Sequence, residues 1–171
     1  MKINLLFFII FFVVGLILLL ISLIFKYKDS TTIKSCNKAV KGKVVKYTTW
    51  NNNGVSFPIV EYVVNNVSYT QRLKYGWIYS KSSSLKNVNT DINNNVEDTN
   101  LRISRNAHIA TNPLMDKFPI GSELDVYYNP ENPKKSYVLR FVKSPMIKIL
   151  LLTAVIFIIV AFIGLAFLPS N

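Results

Sequence analysis

Ile3-Asn-Leu-Leu-Phe-Phe-Ile-Ile-Phe-Phe-Val-Val-Gly-Leu-Ile-Leu-Leu-Leu-Ile-Ser-Leu-Ile-Phe25 is a run of 23 residues without a charge. As a helix rising about 1.5 Å per residue it is about 34 Å long, enough to cross a hydrocarbon core of about 30 Å. A second apolar run, Met146 to Leu168, with Lys148 its one charge, lies near the other end. The residues between them, 26–145, suffice for one small domain with its own core. The run Ile3 to Phe25 is longer than the apolar centre of a secretory signal, and no small-x-small cleavage site follows it. The expectation is an uncleaved transmembrane helix. Tyr27 then sits at headgroup level and Lys26 and Lys28 snorkel outward.

The formal net charge is +11, and 18 of the 20 Lys and Arg lie between the two runs, together with all nine acids. Three readings compete for this excess, in falling order: the positive-inside face of a membrane protein, a surface for anionic headgroups, and a nucleic-acid patch. Lys26, Lys28, Lys34, Lys38, Lys41, Lys43 and Lys46 follow the first run. Lys134, Lys135, Arg140 and Lys143 precede the second, with Lys148 just inside it. The bias predicts a plasma-membrane protein crossing twice, with the middle domain cytoplasmic and both termini outside. Membrane lipids are the expected partners, with anionic-lipid contact through the Lys-rich flanks. An unidentified protein partner is a further candidate, and nucleic acid is disfavoured.

The middle segment reads as all-β. Val44 to Trp50 is rich in strand formers, and Asn51-Asn52-Asn53-Gly54 ends it as a turn. Phe57 to Val64 is apolar on both faces, with Pro58 confined to a strand start or an edge. Asn65-Asn66 reads as a two-residue hairpin turn, since Asn tolerates positive φ. Val67 to Lys74 alternates, with Val67, Tyr69 and Leu73 on one face. From Gly76 to Asn112 the chain turns polar, with eight Asn between Asn87 and Asn112. That composition predicts a long loop, with a short strand or turn at Leu101 to Ile109. Glu123 to Tyr128 alternates again, placing Leu124, Val126 and Tyr128 inward. Asn129-Pro130-Glu131-Asn132-Pro133 takes the chain out of the sheet. Ser136 to Val142 is the last expected strand, with Tyr137, Leu139 and Phe141 on one face.

The fold class that follows is two transmembrane α-helices flanking a small all-β domain, with about five strands in a barrel-like or curled antiparallel sheet. The expected divisions are a transmembrane helix at 3–25, a basic juxtamembrane linker at 26–38, a β domain at 39–142 with a long polar loop at 76–117, and a transmembrane helix at 146–168. Ala154, Ala161 and Gly164, with Gly15 in the first helix, offer small residues for helix packing.

Three motifs in order carry a resemblance: Gly42-Lys43-Val44-Val45, then Phe57-Pro58-Ile59-Val60-Glu61-Tyr62, then Ile120-Gly121-Ser122-Glu123-Leu124-Asp125-Val126-Tyr127-Tyr128-Asn129-Pro130-Glu131-Asn132-Pro133-Lys134-Lys135-Ser136-Tyr137. Together they resemble the bacterial domain of unknown function 3592 family, over most of the chain except residues 76–117. The resemblance implies a membrane-embedded helix pair with a small β domain. It implies no activity and supplies no catalytic residue.

The residues themselves assign no catalytic, cofactor-binding or metal-ligating side chain. His108 is the single histidine and Cys36 the single cysteine, so neither a metal set nor a disulfide framework can be built. A nucleophile would need a base, and His108 lies in the polar segment. Glu97-Asp98 and Glu123/Asp125 read as solvated carboxylates. No Gly-rich phosphate loop is present. Asn129 to Pro133 reads as a turn fixing strand register before it reads as a ligand site. The remaining candidate is a basic-aromatic mix: Lys41, Lys43, Lys46, Tyr47, Trp50, Arg72, Lys74, Tyr75 and Trp77. It suits an anionic membrane surface, or stacking on single-stranded nucleic acid. The expected function is a non-enzymatic binding or structural module at the membrane, without a cofactor. The alternative is an accessory or immunity-type membrane protein that binds a protein partner.

Overall fold

The computed structural model describes residues 2–49, 55–83, 91–92, 98–106 and 112–167. Two compact units emerge, Met1–Ser30 with Ser144–Asn171, and Thr31–Lys143.

In the first unit, helix α1 (Lys2–Ser35) and helix α3 (Met146–Phe167) run antiparallel. The seam uses small residues. Ala154 and Ala161 are fully buried, and a Cβ on Gly15 would meet Ile158 Cγ1 at 2.8 Å and Ala154 O at 3.1 Å. Phe11 stacks on Phe157, and Phe8 meets Phe162 edge-on. The buried Ser22 hydroxyl donates to Ile147 O at 3.3 Å, and the Ser144 N–H donates to Asp29 Oδ2 at 2.9 Å. Where hydrocarbon surrounds a helix pair, close backbone approach and such bonds replace hydrophobic drive. Both helices are long and apolar enough to cross a membrane, and only 11% and 17% of their most apolar windows are buried. A core helix of a water-soluble domain would be mostly covered. α1 continues past Phe25 through Ser35, so most of the expected basic linker is helical. Leu168 and the tail that follows lie outside the described residues.

The second unit holds a curled antiparallel sheet that forms a half-barrel. Its strands are β1 (Lys38–Tyr47), β2 (Pro58–Val64), β3 (Val67–Arg72), β7 (Glu123–Tyr128) and β8 (Ser136–Val138). They lie side by side in the order β3-β2-β1-β7-β8. Val44, Val60, Tyr62, Val64, Leu124, Val126 and Val138 line the buried face. Pro58 opens β2, where the missing N–H does no harm. Asn65 and Asn66 have φ of 51° and 62°, the doubly positive pair of a tight hairpin turn. β7 follows the alternation read from sequence, with Leu124 and Val126 buried and Tyr128 packed beside them.

β1 begins earlier than expected and carries a bulge. Val44 pairs with Val60, and Lys46 with Ile59, so Val45 is the extra residue. The bulge shifts the inward phase from Val40, Gly42 and Val44 to Tyr47. The turn at 51–54 lies outside the described residues.

Two expectations need correction. The segment 76–117, read as a long polar loop with a short strand or turn at Leu101 to Ile109, has that strand as β6 (Leu101–Asn106) and also contains β4 (Ile78–Ser83), β5 (Asp91–Ile92) and helix α2 (Pro113–Lys117). The three strands form a second sheet, β4-β6-β5, in which β4 and β6 run parallel. A few apolar residues, Leu101, Ile103 and Leu114, are fully buried in the common core and anchor it. Leu101 and Ile103 stand at strand spacing in the stretch where a short strand is expected, whereas Leu114 is isolated along the chain. The last strand is also shorter than Ser136 to Val142. It stops at Val138 because Leu139 takes φ 59°. Within the strand Ser136 and Val138 face the core and Tyr137 does not; Leu139, beyond the strand end, packs against the core from its turn.

Over Gly42 there is no space for a side chain. A Cβ would stand 2.7 Å from both Glu61 O and Val60 Cγ1, and 3.1 Å from Val126 Cγ2. Gly42→Ala is expected to destabilise the β unit by about 2 kcal/mol, seen as a lowered thermal midpoint of the detergent-solubilised chain by circular dichroism. An unchanged midpoint would show that β2 can move away.

Candidate functional site

The basic-aromatic mix read from sequence does not form one surface. Lys41 and Lys43 are exposed on β1, but each faces acids. Lys41 Nζ is 2.6 Å from Asp125 Oδ1, and Lys43 pairs with Glu61 on one side and Glu123 on the other. That face of the sheet is a mixed-charge, solvated surface. Tyr47 turns inward, and its single hydroxyl proton lies within hydrogen-bond reach of two carbonyls, Leu114 in α2 (2.9 Å) and Phe118 just after it. Lys46, Lys74 and Trp77 are exposed. Trp50, His108 and Glu97 lie outside the described residues.

Arg72 and Tyr75 belong to a different group. Phe57 is buried at the start of β2, with Arg72 Cζ 5.6 Å from its ring centre and the Tyr75 ring 6.2 Å away. Arg140 Cζ lies 4.6 Å over the Tyr75 ring. Lys117 Nζ lies 5.8 Å over Phe118 and is close enough to Arg140 to feel its charge. Burial lowers the Lys117 pKa, Arg140 lowers it further, and Asp98 opposes both. Burial raises the Tyr75 pKa, against a hydrogen bond from Arg140 and its positive charge. Three cations thus each rest on a ring, and the pairs are linked to one another.

The turn at Leu139 aims Arg140. The Arg140 N–H donates to Val138 O at 2.7 Å across Leu139 at φ 59°, while the Leu139 N–H donates to Asp125 O at 2.7 Å. This is a γ-turn of the positive-φ kind, sterically unfavourable for a branched side chain. It takes Arg140 out of the strand alternation. Sequence reading missed Arg140, Lys117, Phe57 and Phe118 as a group, because their contacts join three separate segments. Only Arg72 and Tyr75 carried a signal.

Other polar side chains hold the fold. Asn112 donates from Nδ2 to Ser56 O at 2.9 Å and accepts from the Ser56 N–H at 3.3 Å, which ties the start of α2 to residue 56. Asn129 shapes the proline turn, its Oδ1 accepting from the Glu131 N–H at 3.0 Å. The same turn is anchored by Tyr62, whose hydroxyl donates to Pro133 O at 2.6 Å, and by Cys36, whose thiol donates to Lys135 O at 3.3 Å. Cys36 is buried, and burial pushes its thiol up. Among the described residues, no three His, Cys, Asp or Glu side chains are grouped to hold a metal ion.

Burial, with Asp116 nearby, pushes the Tyr47 hydroxyl from 10.0 up to about 12. The folded state therefore holds this proton more tightly than the unfolded chain. The stabilisation is complete below pH 10 and fades as the pH rises towards 12. Tyr62, Tyr75 and Tyr137 are raised as well. Tyr47→Phe is expected to cost about 1–2 kcal/mol at neutral pH and to flatten, without abolishing, the alkaline loss in denaturation curves taken across that range. An identical alkaline slope in the variant would contradict the assignment.

Neither a curated protein nor a solved structure matches the chain. A family model does match, over residues 99–143. The matched stretch takes in β6, α2, β7, the proline turn and β8, and it ends just beyond Arg140. It includes residues 99–117, which the sequence motifs leave aside, and it omits the Gly42 and Phe57 motifs. Over residues 99–143 the chain is similar to the DUF3592 domain of unknown function.

Proposed function

We propose that the chain is an integral membrane protein in which α1 and α3 cross the bilayer as a hairpin, and in which the β unit acts without catalysis as a binding module at the membrane surface. The observation that supports this is the outward apolar surface of both helices, of which so little is covered within the hairpin. Exposed apolar area of that extent requires either lipid or a large partner surface. The lysines flanking the helices favour a cytoplasmic β unit with both termini outside, in the plasma membrane.

Alkaline carbonate extraction tests the first statement. The chain is expected to stay with the membrane pellet and to enter solution only with detergent, and release by carbonate alone would refute it. Topology calls for an introduced thiol, because Cys36 is buried and the thiolate is the reactive form. In a Cys36→Ser, Glu131→Cys chain, a membrane-impermeant maleimide is expected to label only after permeabilisation. Labelling of intact cells would reverse the orientation. A protein that copurifies in fixed stoichiometry would favour the accessory reading over lipid binding.

A further inference from the structure

The second sheet has one face on the core and one in solvent, and its register fixes which residues share each. Ile78 of β4 pairs with Leu101 of β6, and Ser80 with Ile103. Leu101 and Ile103 are buried, and Ile78 packs against the core. Between these positions Tyr79 pairs with Arg102 and Lys81 with Ser104, so Tyr79, Arg102 and Lys81 belong to the outer face. All three are exposed. Trp77 stands two residues before Tyr79, with its carbonyl already accepting from the Leu101 N–H at 2.8 Å, and the same alternation puts it on that face. Successive outward residues on a strand are about 6.6 Å apart and neighbouring strands about 4.8 Å. The four side chains therefore start from one short strip.

Trp77 is 48% exposed and Tyr79 54%. Two large rings left open side by side, with an ammonium and a guanidinium beside them, serve no purpose in core packing and mark a contact surface. Charge narrows the occupant. Residues 31–143 carry 16 Lys and Arg against eight Asp and Glu. Asp91 of β5 pairs with Ser104, on the far side of β6 from β4. Among the described residues, Lys81 and Arg102 have no acid within ion-pair distance. Indole and phenol rings favour the zone where headgroups meet acyl chains, and Lys and Arg favour the anionic charge just outside it. The β unit is joined to a long apolar helix at each end. A bilayer crossed by those helices is thereby kept at high effective concentration near the unit.

We propose that Trp77, Tyr79, Lys81 and Arg102 form a docking face for the anionic headgroup layer of the bilayer that anchors the chain. The rings enter between headgroups, and the two cations pair with lipid phosphates. This inference rests on the reading of α1 and α3 as membrane-crossing helices, and it names the lipid that the β unit binds.

The test uses the full chain carrying Trp50→Phe, which leaves Trp77 as the single indole, at one copy per lipid nanodisc. Discs of phosphatidylcholine are compared with discs that also contain phosphatidylglycerol. In the anionic discs Trp77 is expected to emit at shorter wavelength, to be quenched by lipids brominated near the headgroup, and to be shielded from aqueous acrylamide. Combining Lys81→Gln with Arg102→Gln is expected to abolish the difference between the discs. Salt at about 1 M, where the screening length falls to about 3 Å, is expected to do the same, whereas Lys41→Gln leaves the difference unchanged. Should Trp50→Phe fail to fold by circular dichroism, the difference between the native chain and Trp77→Phe isolates the same signal. Docking is refuted if Trp77 stays open to acrylamide in both discs, or if the double variant responds like its parent. It is also refuted if Trp77 is shielded only when two copies share a disc, or only when a single-stranded oligonucleotide is added. A chain that cannot enter discs overturns the membrane-crossing reading and docking together, whereas an open Trp77 in a reconstituted chain overturns docking alone.

Discussion

A sheet that curls into a half-barrel without closing leaves two edges of unpaired backbone groups, and here they belong to β3 and β8. Side chains bridge them. Gln71 on β3 donates from Nε2 to Ser136 O at 2.6 Å and reaches Ser136 Oγ at 3.2 Å. The buried Ser136 hydroxyl also shares a 2.8 Å hydrogen bond with Tyr62. An amide thus stands in for a missing strand partner, and the buried hydroxyl is satisfied. Much of the unit depends on this contact. It places β8, and so also the proline turn before it and the Leu139 turn after it. Those two turns bring Lys135 to Cys36 and Arg140 to Tyr75.

The helix hairpin obeys a different constraint. Its outer surface is apolar almost throughout, so apolar character cannot choose the partner face. Shape does. Gly15, Ala154 and Ala161 let the backbones approach, and the Phe8–Phe162 and Phe11–Phe157 ring pairs pack across the seam. Ser22 and Asp29 supply the directional bonds. Asp29 also places a carboxylate at the amino-terminal end of α3, where the helix dipole favours negative charge.

Sequence reading succeeded where the cause is local. The Asn65-Asn66 turn, Pro58 at a strand start and the alternation of Glu123 to Tyr128 each depend on a residue's own φ preference or on its immediate neighbours. It failed where the cause lies far along the chain. The parallel pairing of β4 with β6 joins Ile78 to Leu101, and nothing at either position announces the other. Ser136 reads as an outward polar residue until Tyr62 and Gln71 are placed around it. The bulge at Val45 reverses the phase of β1, so Tyr47 cannot be assigned a face from its spacing alone. The candidate cluster was half legible for the same reason. Arg72 and Tyr75 stand out in the sequence, whereas Arg140 and Lys117 come to them only through the fold.

The chain by itself determined two long apolar helices, a β segment between them, a strong positive excess and a proline turn that ends a strand. These follow from composition, period and single-residue conformational limits, which act over a few residues. Tertiary structure alone decided which lysines face acids and which cations sit on rings. It also decided where the half-barrel is stapled and why Leu139 leaves the strand. Those outcomes depend on the burial of one segment against another, and the free energy of such contacts belongs to pairs of residues that the sequence keeps far apart.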